Sequence, residues 1–219
     1  MSIIYTKAEE RTNYISHGAG ILLGALVGYF FLRLCIRNGD HWAQWGVSLY
    51  LIGMIGSYLT STLYHAWPSR SSLKERLRQW DHAAIYWHIA GSYSPITLVA
   101  LREQGFWGWG LFAFVWCCAL VGTVMSLRKL KEHSNLETVC FIAMGLVILV
   151  AFRPLMSVVD MKAIAWILAE GAFYITGALF YSLHQKKFMH SVFHFFVLGG
   201  SVCHIIAVRD VLIQFLCMD

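Results

Sequence analysis

Residues 188–212, FMHSVFHFFVLGGSVCHIIAVRDVL, decide how the chain is read. Apart from Arg209, Asp210 and three histidines, this is an apolar run long enough for a bilayer-crossing helix, which needs roughly 20 residues at about 1.5 Å of rise each. Six further windows of the same kind lie upstream, at 15–36, 42–67, 80–101, 106–127, 136–158 and 163–183. Between them stand charged or turn-forming breaks, such as Arg37, Asn38, Gly39 and Asp40 after the first and Pro68, Ser69, Arg70 and Ser71 after the second. Residues 1–219 therefore read as a single all-α domain, a bundle of seven transmembrane helices with no soluble domain.

Composition agrees. The 219 residues are 58% hydrophobic and 13% charged, about half the charge of an ordinary soluble domain. Three prolines and a mean hydropathy of +0.59 exclude collagen-like and disordered classes, because so apolar a chain does not stay solvated. The net charge of +5 sits in short clusters between apolar runs, which reads as a topology signal and not as a nucleic-acid surface. Cys35, Cys117, Cys118, Cys140, Cys203 and Cys217 lie in or beside apolar segments without metal-type spacing, so no disulfide framework is expected. Residues 1–14 lack the pattern of a removable signal peptide.

Basic residues give the orientation. The N-terminal segment and the second, fourth and sixth loops carry two, four, three and two Lys or Arg, eleven of the seventeen, among them Lys7, Arg11, Lys74, Arg128, Lys129 and Lys131. The positive-inside rule places that side, and the N-terminus, in the cytoplasm; seven crossings then place the C-terminus outside. Gly18, Gly20, Gly24, Gly28, Gly199 and Gly200 read as close helix packing, and Trp42, Trp45, Trp67, Trp80, Trp107 and Trp109 as an interfacial belt.

Ionisable residues inside a bilayer are costly and mark functional sites. Glu10, Asn13 and His17 share one face of the first helix by their spacing of three and four, Ser61 and His65 end the second, Asp81 and His82 open the third, and His190 and His194 open the seventh. With the orientation above, all four groups fall at the cytoplasmic level. Three imidazoles, a carboxylate and a hydroxyl suit a catalytic zinc site: zinc takes three neutral imidazoles and leaves one position for water. In this reading His65, His190 and His194 are the ligands, and Asp81 orients the water and accepts its proton with Ser61 as a further hydrogen-bond partner. Calcium and magnesium fit less well because they prefer oxygen ligands. A histidine pair four apart also serves simple helix-end or core hydrogen bonding, and that reading stays open beside the metal. Glu10, Asn13 and His17 are expected to be structural or to support the ligands. His88 and His204 lie roughly 10 and 15 Å deeper and belong to no shared ligand set. His41, His82, His133 and His184 read as solvated or interfacial, and the neighbours of Glu170 in sequence name no partner for it.

These residues resemble the haemolysin III family, the bacterial branch of the progestin and adipoQ receptor family, over almost the whole chain. The resemblance is carried by Glu10, Asn13 and His17, by Ser61, Thr62, Leu63, Tyr64 and His65, by Asp81 and His82, by Gly91, Ser92, Tyr93, Ser94 and Pro95, and by His190, His194 and His204. It implies a zinc ion on His65, His190 and His194, with Asp81 on a zinc-bound water, in a multi-pass protein of the bacterial plasma membrane. The wider superfamily includes membrane hydrolases acting on lipid amides, so a lipid is the expected partner and substrate; no nucleic acid or protein partner is expected. The family name implies a competing function, a pore-forming cytolysin, and a sensor of membrane state holding a structural zinc is the third. Against a wide pore, the outer part of the second helix, residues 47–55, is almost wholly apolar.

Overall fold

The computed structural model describes residues 5–68, 71–128, 135–183 and 185–217. Ser69, Arg70, Lys129, Lys131, His133 and His184, which enter the sequence reading above, lie outside the described residues. The described residues are helical, with no strand among them. In order they form α1 (Lys7–Arg37), α2 (His41–Ala66), α3 (Ser72–Pro95), a π-helical turn (Ile96–Ala100), α4 (Phe106–Leu127), α5 (Asn135–Leu146), a 3-10 segment (Val147–Ala151), α6 (Phe152–Val158), α7 (Met161–Ser182) and α8 (Met189–Leu216).

These elements cover the seven apolar windows, with α5, the 3-10 segment and α6 making one broken rod. Six rods, α1, α2, α4, Leu136–Val158, α7 and α8, are long and apolar enough to cross a membrane. The exception is α3, whose first half carries Lys74, Glu75, Arg76, Arg78, Asp81 and His82. It packs against both α2 and α4, so its polar residues meet protein as well as surroundings.

Two helices begin about two turns before their apolar windows, because a cap starts a helix whereas hydropathy marks only its apolar part. Thr6 opens α1 with a capping box, its hydroxyl accepting from Glu9 N–H while its own N–H donates to Glu9 Oε2 at 2.8 Å. Ser71 opens α3 by accepting from Leu73 N–H. Lys74, Arg76 and Arg78, counted above as loop charges, therefore ride on the first turns of α3. After Pro95 the chain widens into the π-turn, closed by Leu101 N–H donating to Ile96 O at 3.0 Å, with Ile96–Ala100 wholly buried.

Close packing of α2 on α3 needs a bare backbone at Gly53, where a Cβ would stand 2.3 Å from the Trp87 carbonyl oxygen. The centre of the bundle is filled by Val47, Tyr50, Met54, Tyr58, Val208, Val211 and Leu212, all fully buried. The six tryptophans of the expected belt are all exposed on the outside, and the six cysteines are free thiols.

Candidate metal centre

The starts of α1 and α8 are tied by one side chain. Glu9, besides closing the capping box, accepts from Phe188 N–H through Oε1 at 2.7 Å, immediately before α8 begins. That tie sets Asn13, Ser16 and His17 of α1 against His190, Ser191 and His194 of α8, while α2 delivers Ser61 and His65 on its last two turns. Asn13 and the three α8 residues are buried, as are Ser61 and His65.

Three imidazoles converge. His190 Nε2 stands 3.2 Å from His65 Nε2 and 3.1 Å from His194 Nε2. Among the described residues they form the only group of three such side chains whose ligand atoms lie within 4.8 Å of one another. An ion about 2.0–2.1 Å from each nitrogen at tetrahedral angles holds the nitrogens roughly 3.3–3.4 Å apart, which is nearly the spacing found.

The outward-facing nitrogens determine what the inward ones can do. His65 Nδ1 lies 2.6 Å from Glu10 Oε2, whose other oxygen pairs with Lys74. A carboxylate only accepts, so the proton belongs on Nδ1 and the lone pair on Nε2 faces the cluster. His194 Nδ1 lies 3.3 Å from the Asn13 carbonyl, which again places its proton outward, with Ser16 Oγ beside it at 3.2 Å. With the His65 and His194 lone pairs turned inward and His190 Nε2 at 3.1–3.2 Å from both, a cation among them would take all three nitrogens as ligands. The three-histidine group could thus hold a metal ion.

Around it, Asn13 Oδ1 accepts from Ser191 Oγ at 2.6 Å, and Asn13 Nδ2 reaches toward His65 Nδ1 at 3.4 Å. His17 is no part of the convergent set: its ring stacks on His194 at 3.6 Å and touches the Tyr58 edge at 5.0 Å. Asp81 is half-buried, with the Ser61 hydroxyl bonded to its carboxyl and His65, His82 and Arg78 nearby. Tyr5 packs its ring 5.0 Å from His190. Burial, reinforced by Tyr64, Tyr181, Glu10 and Asp81, raises its phenol above the usual value and keeps it a neutral donor.

One expectation needs correcting, and one open partner is identified. His82 is not simply solvated: its Nδ1 bonds Glu137 Oε2 at 2.8 Å, and Ser126 donates to the other carboxylate oxygen at 2.7 Å, joining α3, α4 and α5. Glu170 has its partner in His204, at 2.7 Å. Sequence reasoning also passed over Glu9, Ser16, Lys74 and Ser191. Ser16 carried a signal, three residues after Asn13 on the same face, whereas Glu9, Lys74 and Ser191 acquire their roles only from the helix that meets them.

Comparisons with known proteins place the chain in a family. The family model described as haemolysin-III related matches residues 5–205. The chain is 34% identical over 193 residues to Hemolysin-3 of Bacillus cereus, covering 88% of this chain and 87% of that protein. It is 33% identical over 198 residues to the Hemolysin-3 homolog of Bacillus subtilis (strain 168), covering 90% and 92% respectively. Similarity extends to the Monocyte to macrophage differentiation factor of Homo sapiens, 24% identical over 208 residues, or 91% of this chain and 83% of that one. Apolar helices long enough to cross a membrane, a buried histidine triad and a match over nearly the whole length together make this a multi-pass membrane protein that belongs to the haemolysin III-related family.

Proposed function

We propose that the chain crosses the membrane seven times with its N-terminus in the cytoplasm, and that it is a zinc-dependent hydrolase of a lipid amide or ester taken from the cytoplasmic leaflet. The single observation that carries the reading is the convergence of three imidazole nitrogens, at 3.1–3.2 Å from His190 to each of the other two, beside a carboxylate that is not itself in the cluster. His65, His190 and His194 hold the zinc. When bound, zinc supplies Lewis acidity, bringing the pKa of a coordinated water toward about 7 and polarising a carbonyl.

The chain's own residues do the rest. Asp81 accepts the proton of the attacking water and returns it to the leaving nitrogen or oxygen, and the Ser61 hydroxyl holds that carboxylate in place. Glu10 and the Asn13 carbonyl keep the His65 and His194 rings turned toward the ion. Tyr5, shielded and neutral, closes the site toward the N-terminal side and presents a hydroxyl donor near the reacting carbonyl. A lipid fits because its acyl chain stays in hydrocarbon while its polar linkage reaches a site at the end of the bundle.

A second reading, a membrane-lytic pore, draws support from the name of the two Bacillus relatives. Against it, the middle of the bundle is packed shut by Val47, Tyr50, Met54, Val208, Val211 and Leu212. The test is metal analysis of purified wild type beside His190→Ala and His194→Ala, followed by lipid-cleavage and dye-leakage assays in vesicles with Asp81→Asn. The expected result is zinc in wild type alone and cleavage lost in Asp81→Asn with leakage unchanged. Equal zinc in all three proteins removes the site; leakage that persists after zinc is stripped favours the pore.

A further inference from the structure

Ten residues beyond His194, about 15 Å deeper along α8, sits a second ionisable group that the proposed reaction does not use. His204 Nδ1 bonds Glu170 Oε2 at 2.7 Å, with His204 3% and Glu170 9% exposed. A carboxylate and an imidazole placed at mid-bundle cost far more than apolar packing there, so their presence calls for a role. The side chains between this pair and the histidine triad are polar as well. On α8 His190, His194, Ser201 and His204 fall on one helical face. Ser201 Oγ meets the Tyr58 hydroxyl at 2.7 Å and the Tyr174 hydroxyl at 3.2 Å. Tyr174 stands one turn after Glu170 on α7, and Tyr58 touches His17, whose stacking on His194 closes the row.

Two gaps interrupt the row, and each is bordered by buried polar atoms that lack a partner among the described residues. Both nitrogens of His17 border one; His204 Nε2 and the Tyr50 hydroxyl border the other, with the two rings in contact at 4.9 Å. Buried polar atoms are paired, and where protein does not pair them water with two to four polar neighbours does. At the far end the row stops: Val47, Val208, Val211 and Leu212 are fully buried and apolar.

We propose that Glu170 and His204 form a second functional site, a proton-binding pair that exchanges only with the histidine end of the bundle, along a file of hydroxyls and bridging water set by Tyr174, Ser201 and Tyr58. Each transfer passes one proton from an oxygen or nitrogen donor to the next acceptor, so the pair gains the proton that solvent at that end of the bundle gives up and no other reagent is consumed. The titratable groups facing the pair are Tyr50 of α2, His88 and Tyr93 of α3, Tyr174 of α7 and Cys203 of α8. The inference does not depend on which metal, if any, the triad holds.

The test is time-resolved infrared spectroscopy of the full chain in lipid vesicles after a pH jump. The Glu170 band is assigned by its loss in Glu170→Gln, which keeps an acceptor for His204. In wild type the band titrates promptly. Ser201→Ala and Tyr58→Phe, each checked for an unchanged melting temperature, slow the response about tenfold, because exchange then waits on local opening. A Glu170 band that ignores pH in wild type overturns the proposal, and so does a response equally fast in either folded variant. Proton leakage across wild-type vesicles above that of protein-free ones overturns the closed far end.

Discussion

Glu10 Oε2 sits 2.6 Å from His65 Nδ1, and this contact between α1 and α2 decides which nitrogen of His65 faces the other two histidines. Removing the charge while keeping the shape, as in Glu10→Gln, leaves a weaker and less selective acceptor. We expect zinc affinity to fall by about 10–100-fold, the usual effect of losing a carboxylate behind a ligating histidine. Chelator competition on the purified protein measures it; an affinity equal to wild type would show that Glu10 serves only Lys74.

Metal should also stabilise the fold, since the ligands come from α2 and α8. At a free zinc concentration about 100 times the dissociation constant, the gain is about 2.7 kcal/mol. Thermal unfolding in detergent should therefore show a melting temperature that rises with added zinc in wild type and does not respond in His190→Ala. A response of equal size in both proteins would place the stabilising ion elsewhere.

Gly53 and Gly56 make a paired test of the packing. A methyl group at 53 meets the Trp87 carbonyl oxygen at 2.3 Å, whereas at 56 nothing lies within 4 Å. Gly53→Ala should cost about 1–3 kcal/mol, as overpacking does. Gly56→Ala should be neutral or stabilising by up to about 1 kcal/mol, because alanine is the better helix former. Equal melting temperatures for the two variants would mean that α2 and α3 are not so closely packed.

The pair of His82 and Glu137 should matter for stability and not for metal. Glu137 is 2% exposed and holds both His82 and Ser126. Glu137→Ala strands those partners and should cost about 1–3 kcal/mol. Zinc content, read by elemental analysis, should stay at the wild-type level, because the His82 ring nitrogen points to α5 and not to the triad. Loss of zinc in a variant that still folds would put Glu137 in the metal site.

Much of this was legible in the chain before any coordinates. Hydropathy marked every rod, because an apolar run of the right length has one stable place to go, and it missed the starts of two helices, which Thr6 and Ser71 open ahead of the apolar part. The break at Val147–Ala151 left no sign in an unbroken apolar window. Within the site, spacing along single helices singled out His190 with His194, Ser61 with His65, and Glu10 with Asn13 and His17, since one turn of a helix returns a side chain to the same face.

What spacing along a helix cannot express is which faces meet. The sequence alone determined that the chain is a membrane-embedded helical bundle carrying a set of imidazoles and carboxylates too polar for lipid. Only the tertiary structure decided that His65 meets His190 and His194, that Glu170 belongs to His204, and that His82 turns away to Glu137. The reason is physical: local periodicity is set within one helix by its own hydrogen bonds, whereas partner choice is set by the rotation and depth at which separate helices pack, and those depend on contacts such as Gly53 with Trp87 and Glu9 with Phe188, between residues far apart in the chain.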